Sequence, residues 1–292
     1  VMKQLLILSG KGGTGKTTVA GALIEFGRSR AFADCDVDAP NLHLVVSPGP
    51  WPEKTDYYGF GKARIDVSRC AGCGLCEESC RFGAIKDFSV DEFQCEGCGV
   101  CVGICPVQAI SMQDHLSGQL TLDKTDQRAF STARLRMGSG ASGKLVTEVK
   151  KRLVQEAADE KLAVIDGSPG IGCPVIASIS GADLVLIVAE PTVSGIHDMK
   201  RIIDTSTHFG VRSVVCINKY DVNLVNAKEI AGYCSRHKIP VVGLIPFDET
   251  VIKALNRCRS IAAYPESPAG RAIAEIWENI YHNYLRSDAA GN

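Results

Sequence analysis

The feature that most constrains this chain is the stretch LSGKGGTGKTT, residues 8–18, which follows the apolar run QLLIL. Gly10 through Thr17 fit the phosphate-binding loop pattern, a glycine-rich turn that joins a buried strand to a helix. Glycines there permit left-handed backbone angles and leave room for phosphate oxygens. The N-terminal end of the following helix adds partial positive charge. The pattern predicts an α/β fold with a nucleotide site after its first strand, and a chance glycine-rich turn is the less favoured interpretation.

Side chains of this loop have separate expected roles. Lys16 is predicted to contact the β- and γ-phosphates, and the hydroxyl of Thr17 to bind Mg²⁺. Thr18 is expected beside the α-phosphate. Backbone N–H groups of four residues are expected to surround the phosphates: Gly12, Gly13, Thr14 and Gly15.

Continuous apolar runs recur later in the chain, at 162–166, 184–190, 213–218 and 241–245, with helical patterns between them. Runs of this kind are typical of strands that are covered on both faces of a parallel sheet. The alternation of strand and helix therefore predicts a doubly wound, mostly parallel sheet.

Polar residues that follow these strands are candidates for the reaction chemistry. Asp166 ends one apolar run and is predicted to hold Mg²⁺ together with Thr17. Asp36 follows the strand after the first helix and is predicted to orient or activate the attacking water, with Asp34 and Asp38 as alternatives.

Two further strand ends are candidates for binding the nucleotide base. Asn218 is predicted to hydrogen-bond a purine edge, although a merely polar strand end is the alternative. Pro246, followed by Phe247, is predicted to pack on the base.

Eight of the thirteen cysteines lie in two copies of one pattern, Cys-x₂-Cys-x₂-Cys-x₃-Cys, offset by 25 residues. This is the bacterial ferredoxin spacing, in which the fourth cysteine of each copy binds the other cluster. Structural zinc is less favoured, because zinc modules separate two cysteine pairs by a longer loop. Arg81 stands where the second copy has Pro106, which changes no ligand. The predicted ligand sets for two [4Fe–4S] clusters are Cys70, Cys73, Cys76 and Cys105, and Cys80, Cys95, Cys98 and Cys101.

The repeat also suggests the domain organisation. We expect the first part of an ATPase domain at 1–60, an inserted α+β ferredoxin-like domain at 61–119, and the second part of the ATPase domain at 120–292.

The bulk composition excludes several other classes. A net charge of −1 gives no electrostatic footprint for nucleic acid, and no apolar run reaches the roughly 18 residues of a membrane span. The final helical pattern, at about 267–285, lacks the basic face of a membrane-surface helix, so we expect it to pack on the sheet and give no stable membrane anchor. Clustered cysteines in a chain without an apparent signal segment predict a cytoplasmic metal protein.

The segment KGGTGKTT, with its additional Lys11, resembles the deviant Walker A signature of the MinD/ParA/Mrp class of P-loop ATPases. DCDVDAPN and DGSPGIGCPVIASI resemble the two switch regions of that class. The resemblance covers the α/β part and implies an ATP hydrolase that binds ATP or ADP with Mg²⁺ and forms a nucleotide-dependent homodimer. It implies that Lys11 reaches the partner's nucleotide and, with Lys16 and Asp36, serves catalysis.

Together with the cysteine repeat, the chain resembles MinD-superfamily ATPases that carry an inserted ferredoxin domain. This implies nucleotide-gated electron transfer to an unknown redox or metallocluster partner, in metal-cofactor or iron–sulfur metabolism. The alternative is an ATP-controlled iron–sulfur scaffold or carrier. Positioning on membranes and cobyrinate-type amide synthesis are disfavoured, the first by the C-terminal pattern and the second by the lack of room for a glutaminase domain. Cys173, in the second switch segment, is expected to be structural rather than a cluster ligand.

Overall fold

The structure is a computed structural model and describes residues 2–46 and 52–286. The strands are β1 (Lys3–Leu8), β2 (Ala31–Asp34), β3 (Glu53–Tyr58), β4 (Lys62–Ile65), β5 (Ile85–Lys86), β6 (Ser89–Val90), β7 (Ile110–Gln113), β8 (Leu116–Thr125), β9 (Arg128–Leu135), β10 (Leu162–Asp166), β11 (Leu184–Ala189), β12 (Arg212–Asn218) and β13 (Val241–Ile245). The helices are α1 (Lys16–Phe26), α2 (His43–Val46), α3 (Leu75–Glu78), α4 (Val100–Ile104), α5 (Ser142–Glu156), α6 (Cys173–Ile179), α7 (Val193–His208), α8 (Leu224–Arg236), α9 (Glu249–Asn256) and α10 (Pro268–Ile280).

Nine strands form one large sheet in the order β13-β12-β11-β1-β10-β2-β9-β8-β3. Neighbouring strands from β13 to β9 pair in parallel, and β8 and β3 extend the sheet with antiparallel pairs. The predicted mostly parallel α/β sheet is therefore confirmed. β1 lies between β10 and β11, where the strand order reverses, and ligands of such sheets bind at the carboxyl ends of strands at this point.

Helices cover both faces of this sheet, because its central strands are apolar on both sides. The core on one face joins the sheet to α5, α6, α7 and α8. The core on the other face joins it to α1, α9 and α10. The terminal helix α10 packs on the sheet, as its amphipathic pattern predicts: a Cβ on Gly243 of β13 would lie 2.3 Å from Ile276 Cγ1.

The hairpin of β8 and β9 and the edge strand β3 were not expected from the sequence. Residues 116–119, which the predicted division assigns to the insert, lie in β8 and pair with both β3 and β9. Residues 48–51, part of a boundary that the sequence suggested at 48–62, lie outside the described residues. The division into 1–60, 61–119 and 120–292 remains a prediction.

Residues 62–113, here called the cysteine-rich unit, are closed at their base by pairing of β4 with β7. The unit contains the short helices α3 and α4, a hairpin of β5 and β6, and a small apolar core of its own. Five of the eight repeat cysteines belong to this core or pack against it: Cys76, Cys80, Cys95, Cys101 and Cys105.

Candidate nucleotide site and cysteine-rich unit

The glycine-rich loop after β1 has the backbone that its sequence predicts. Gly13 and Gly15 have φ angles of 83° and 93°, a left-handed conformation that residues with a Cβ rarely adopt. Gly15 is the N-cap of α1, so the first turn of this helix faces the loop. A Cβ on Gly15 would lie 2.3 Å from Asn218 Nδ2, so the loop and β12 approach closely only because this residue is glycine.

Lys16, Thr17 and Asp166 meet at the carboxyl ends of β1 and β10. Lys16 Nζ lies 2.5 Å from Asp166 Oδ1, and both side chains are buried. The Thr17 hydroxyl donates to Asp166 Oδ2 at 2.7 Å. Burial lowers the pKa of Lys16, but the Asp166 carboxylate outweighs this, so the pKa is raised and the ammonium stays charged. A hydroxyl beside a carboxylate is the oxygen donor set that Mg²⁺ prefers.

The segment after β2 is organised around Asp34. Its carboxylate accepts backbone hydrogen bonds from Asp36, Asn41 and Leu42 at 3.0, 2.8 and 2.9 Å. Burial and the charge of Asp166 raise the pKa of Asp34 to about 7, while the hydrogen bond from Leu42 opposes this. Asp34 thus stabilises the segment after β2 through these hydrogen bonds. Asp36, the residue predicted to act on water, lines the cavity in front of the glycine-rich loop.

Asp36 is buried, with 8% of its surface exposed. Burial raises its pKa, partly offset by the nearby charge of Lys16. A carboxyl group with a raised pKa beside the phosphate cavity is suited to accept a proton from water. Asp38 lies outside this cavity and lines a different cleft.

Lys11 points away from the loop, toward the end of β11. Its Nζ lies 3.3 Å from Glu190 Oε2 and 3.3 Å from Thr192 Oγ1. Glu190 also pairs with Lys219 at 2.9 Å, and Lys219 Nζ donates to the carbonyl of Gly13 at 3.2 Å. Burial raises the pKa of Glu190, but Lys219 and Lys11 outweigh this and the pKa is lowered. The carboxylate therefore holds both lysines.

Two adjoining cavities flank the loop. One, of about 380 Å³, is lined by loop residues with Asp36 and Pro169. The other, of about 230 Å³, lies between the loop and the residues after β12 and β13, including Pro246 and Phe247. The buried hydroxyl of Thr14 has no hydrogen-bond partner among the described residues. Buried hydroxyls usually have a hydrogen-bond partner, and in a phosphate-binding loop a phosphate oxygen is a suitable acceptor for this one.

Asn218 lies at the predicted strand end, and its hydrogen bond to a purine edge remains a prediction. Its Nδ2 donates to the carbonyl of Thr14 at 2.7 Å, and its Oδ1 accepts from the N–H of Lys219 at 3.0 Å. The side chain lines the 230 Å³ cavity, yet its amide is engaged with the backbone rather than free for a base edge.

The two cysteine copies adopt matching local structures. Gly74 and Gly99, both left-handed at φ 74°, precede α3 and α4. The thiol of Cys80 accepts from the N–H of Ala84 at 3.4 Å, and that of Cys105 accepts from the N–H of Ala109 at 3.2 Å. Backbone N–H groups directed at sulfur atoms are one of the ways in which proteins tune iron–sulfur ligands.

Within residues 2–46 and 52–286, no group of three or more histidine, cysteine, aspartate or glutamate side chains is arranged to hold a single metal ion. Burial raises the pKa of Cys76 and Cys101, the third cysteine of each copy. Iron–sulfur clusters therefore remain a prediction from the spacing of the cysteines.

The remaining cysteines fall into two groups. Cys173, at the start of α6, and Cys258, just after α9, are exposed. Cys35, Cys216 and Cys234 are buried, and burial raises their pKa values to about 12, 12 and 11. Thiols in such surroundings behave as small apolar side chains.

Three residues of the site were not singled out from the sequence: Glu190, Lys219 and Asn41. Asn41 Oδ1 lies 2.9 Å from the Thr17 hydroxyl oxygen, so it competes with Asp166 for the single hydroxyl proton. Glu190 directly follows an apolar strand, the same signal that identified Asp166. The position of a charged residue at a strand end could therefore have found Glu190, but its partners depend on the tertiary fold.

The family model of the CobQ/CobB/MinD/ParA nucleotide binding domain matches residues 5–261. The chain belongs to this family. It is thus a MinD/ParA-type P-loop ATPase, in agreement with the resemblance of its loop and switch segments.

Among the relatives, an uncharacterized protein of Methanocaldococcus jannaschii, MJ0578, is 30% identical over 96% of this chain and 97% of its own. The cell division ATPase MinD of Pyrococcus furiosus has a similar structure, with a TM-score of 0.59, 18% identity, and 97% and 99% of the two chains covered. MinD of Pyrococcus horikoshii, solved with Mg-ADP, has a TM-score of 0.58 at 17% identity, with 96% of each chain covered. These structures share the fold of this MinD/ParA-family chain.

Across the part of the chain that the structure describes, no helix is both long and apolar enough to cross a bilayer.

Proposed function

We propose that this MinD/ParA-family chain is a Mg²⁺-dependent ATP hydrolase whose nucleotide state controls electron transfer from two [4Fe–4S] clusters to a partner protein. The observation that carries the ATPase part is the meeting of Lys16, Thr17 and Asp166 below an orphaned Thr14 hydroxyl. Mg²⁺ would be held by Thr17 and Asp166, and it would supply charge neutralisation at the phosphates.

The residues of the loop have defined tasks in this proposal. Lys16 exchanges part of its contact with Asp166 for phosphate oxygens, and backbone N–H groups of the loop bind the remaining ones. Thr18 lines both cavities, consistent with a place beside the α-phosphate. Asp36 orients the attacking water and accepts its proton. Pro246 and Phe247 contact the base from the 230 Å³ cavity.

Lys11 acts on the nucleotide of a second copy in the proposed dimer. Its flexible side chain is 38% exposed. It belongs to the glycine-rich loop, at the carboxyl end of the central strand β1. Release from Glu190 allows it to cross to the partner, where a cation stabilises developing phosphate charge.

Two [4Fe–4S] clusters are proposed for the cysteine-rich unit on the chemistry of its donors. Eight thiols in the ferredoxin spacing, matching local folds and N–H groups directed at Cys80 and Cys105 support this assignment. The cluster with Cys105 would use the first three cysteines of copy one, and the cluster with Cys80 those of copy two. When bound, the clusters supply one-electron redox chemistry.

Coupling between the two sites is supported by a chain of contacts through α5. A Cβ on Gly138 would lie 2.8 Å from Phe93 Cδ1, and one on Gly140 would lie 3.1 Å from Glu96 Oε2, so the loop before α5 touches the cysteine-rich unit. Farther along α5, the buried Lys150 donates to the carbonyls of Ser178 and Ser180, each at 2.6 Å. These carbonyls end α6, which follows the switch segment after Asp166.

The ATPase part is tested with Lys16→Ala and Lys11→Ala. The matched control is Lys151→Ala, which changes an exposed lysine of α5. We expect Lys16→Ala to lose Mg·ATP binding. Lys11→Ala should bind Mg·ATP normally and hydrolyse it at least about 10²-fold more slowly. Hydrolysis by Lys11→Ala at the parent rate would contradict the trans-acting role.

The cluster part is tested by anaerobic reconstitution followed by iron analysis and redox titration with and without Mg·ATP. We expect about eight irons per chain and about half as many after Cys98→Ser. A change in midpoint potential on adding Mg·ATP supports gating. Chains that hold zinc or no iron would overturn the cluster assignment, and rapid transfer of iron–sulfur clusters to an apo-protein would favour the carrier function instead.

A further inference from the structure

A cleft of about 840 Å³ lies on the cysteine-rich side of the large sheet, apart from the two cavities that flank the glycine-rich loop. Its volume is within the range of ligand sites, about 300–1,000 Å³. The floor is the hairpin of β8 and β9 with β3, and one wall is the loop from Met137 to Ser142 that leads into α5. Apart from Asp38, which the sequence offered as an alternative to Asp36, the predicted nucleotide and cluster functions use none of the side chains that line this cleft.

The loop of this cleft repeats the spacing of the nucleotide loop. Gly138 and Gly143-Lys144 are separated as Gly10 and Gly15-Lys16 are, and both loops join a parallel strand of the sheet to a helix. Gly138, Gly140 and Ala141 have φ angles of 73°, 50° and 61°. These positive φ angles make residues 138–141 a tight turn, and turn conformations can direct backbone N–H groups toward a bound anion.

The two loops differ where the metal would bind. Leu145, fully buried, occupies the place of Thr17, so the position that corresponds to the predicted Mg²⁺ ligand has no hydroxyl. Lys144 Nζ lies 5.4 Å from the centre of the Phe60 ring and does not line the cleft. The site is therefore built for an anion without Mg²⁺, and the cations must come from other residues.

Those cations are Arg134 and Arg136, which follow one another on the same face of β9 and its extension. Both line the cleft, both are exposed, and neither guanidinium forms an ion pair or hydrogen bond among the described residues. Arginine binds phosphate oxygens with two parallel N–H groups, which makes such a pair suited to a phosphoryl group.

A buried side chain points to the same ligand. Ser139 lines the cleft with only 2% of its surface exposed, and its hydroxyl has no partner within the described residues. Ser142 lies beside it at the first turn of the fifteen-residue helix α5, where the N-cap Ala141 supplies no side-chain hydrogen bond. Buried hydroxyls without partners are rare in native proteins, so an oxygen of a ligand is the expected acceptor.

From these contacts we propose that the cleft binds the phosphoryl group of a small phosphorylated metabolite. Arg134 and Arg136 contact the phosphate together with the Ser139 hydroxyl and the N-terminal end of α5. Asp38 and Asp56, which also line the cleft, accept hydrogen bonds from hydroxyl or amino groups on the rest of the ligand. This site is distinct from the ATP site, and its existence does not depend on bound clusters.

The test uses inorganic phosphate as the probe on the full-length chain saturated with Mg·AMPPNP, so that the glycine-rich nucleotide loop is occupied. Binding is measured by calorimetry for the parent, for Arg134→Gln/Arg136→Gln, for Ser139→Ala, and for Arg201→Gln on α7 as a matched control. We expect the double variant to weaken phosphate binding at least about tenfold and Ser139→Ala severalfold. Arg201→Gln should bind as the parent does.

The affinity for the nucleotide serves as a control for folding, and three outcomes would contradict the proposal. The affinity for Mg·AMPPNP should be the same in all four proteins, which shows that the variants fold and that the nucleotide site is intact. The proposal is overturned if the saturated parent binds no phosphate, or if the double variant binds it as tightly as the parent. Citrate binding more tightly than phosphate would also overturn the phosphoryl assignment.

Discussion

Asp166 is the carboxylate that joins the end of β10 to the start of α1 at the candidate nucleotide site. It is fully buried and contacts both the Lys16 ammonium and the Thr17 hydroxyl. Removing one partner of a buried ion pair leaves the other charge uncompensated, which costs about 3–5 kcal/mol. Besides its proposed role in binding Mg²⁺, Asp166 therefore contributes to the stability of this region in the absence of nucleotide.

We expect Asp166→Asn to lower the free energy of unfolding of the nucleotide-free protein by about 3–5 kcal/mol, because Lys16 keeps its charge without a carboxylate. Urea unfolding measures the effect, with the more exposed Asp183→Asn as the control. ATP without Mg²⁺ should recover part of the loss, since phosphate oxygens replace the carboxylate. Equal stability of Asp166→Asn and the parent would contradict this account of the ion pair.

Asp248 stabilises the N-terminal ends of two helices, α9 and α10, and its removal is expected to lower the free energy of unfolding. It accepts from the N–H of Thr250 at 2.8 Å at the start of α9 and from the Ser267 hydroxyl at 2.5 Å at the start of α10. Loss of one capping side chain costs about 1 kcal/mol, so Asp248→Ala should cost about 1–2 kcal/mol. Thermal unfolding at neutral pH checks this value.

The contribution of Asp248 should also depend on pH. Burial raises its pKa, but the hydrogen bonds from Ser267 and Thr250 together outweigh this and lower the pKa to about 2, from 3.8. A carboxyl group whose pKa is depressed by folding stabilises the protein above its unfolded value and loses that effect as pH falls. The stability difference between the parent and Asp248→Ala should therefore shrink between about pH 4 and pH 2. A constant difference over this window would show that the charge is unimportant.

At the scale of elements, the ends of β1, β11 and β12 are held together by one carboxylate. Glu190 pairs with Lys11 at 3.3 Å and with Lys219 at 2.9 Å, and Lys219 reaches back to the loop carbonyl of Gly13. In this arrangement Lys11 is satisfied within its own chain. A dimer that uses Lys11 in trans must first break its contact with Glu190.

We expect Glu190→Gln to promote nucleotide-dependent dimerisation, with a severalfold lower dimer dissociation constant in Mg·ATP, because an exposed ion pair of this kind is worth up to about 1 kcal/mol. Analytical ultracentrifugation with Mg·ATP and with Mg·ADP measures it. Glu160→Gln, which removes a carboxylate paired with Arg30 at the opposite end of β2, is the control. Unchanged dimerisation of Glu190→Gln would exclude a restraining role for this contact.

At the scale of the whole molecule, α5 lies between the cysteine-rich unit and the switch segment that leads to α6. Burial lowers the pKa of Lys150, and its two hydrogen bonds go to carbonyls at the end of α6. A cation at the C-terminal end of a helix is favoured by the helix dipole. Under the proposed function, a movement of α6 with the nucleotide state would be transmitted to α5 through these bonds.

Lys150→Met, which keeps the length of the side chain and removes the ammonium, should weaken this link. We expect ATP binding to be retained and the effect of Mg·ATP on the cluster potentials to fall by at least half. Redox titration of reconstituted protein with and without Mg·ATP gives the comparison, with Lys151→Met on the same helix as the control. A full response in Lys150→Met would exclude Lys150 as part of the coupling.

The sequence alone was sufficient for the nucleotide site at the level of residue types. The glycine-rich loop, the buried parallel strands and Asp166 at a strand end were all predicted, because each depends on local backbone geometry or on a continuous apolar run. The pairing register of the strands and the positions of hairpins were harder to predict from the sequence. β8 was missed because its burial does not alternate cleanly, so a local pattern could not distinguish an edge hairpin from an insert.

Only the tertiary structure determined which partners the charged and polar side chains contact. Lys11, Glu190 and Lys219 are separated by up to 208 positions, and Asn218 bonds to a loop more than 200 residues away. The cleft beside the Gly138–Lys144 loop likewise requires β3, β8 and β9 to lie side by side. Sequence patterns report the conformation of each segment, whereas the distance between two side chains is fixed by how the whole chain packs. The backbone of the glycine-rich loop was therefore determined by the sequence, and the contacts of Lys11 and the cleft lined by Arg134 and Arg136 were determined by the fold.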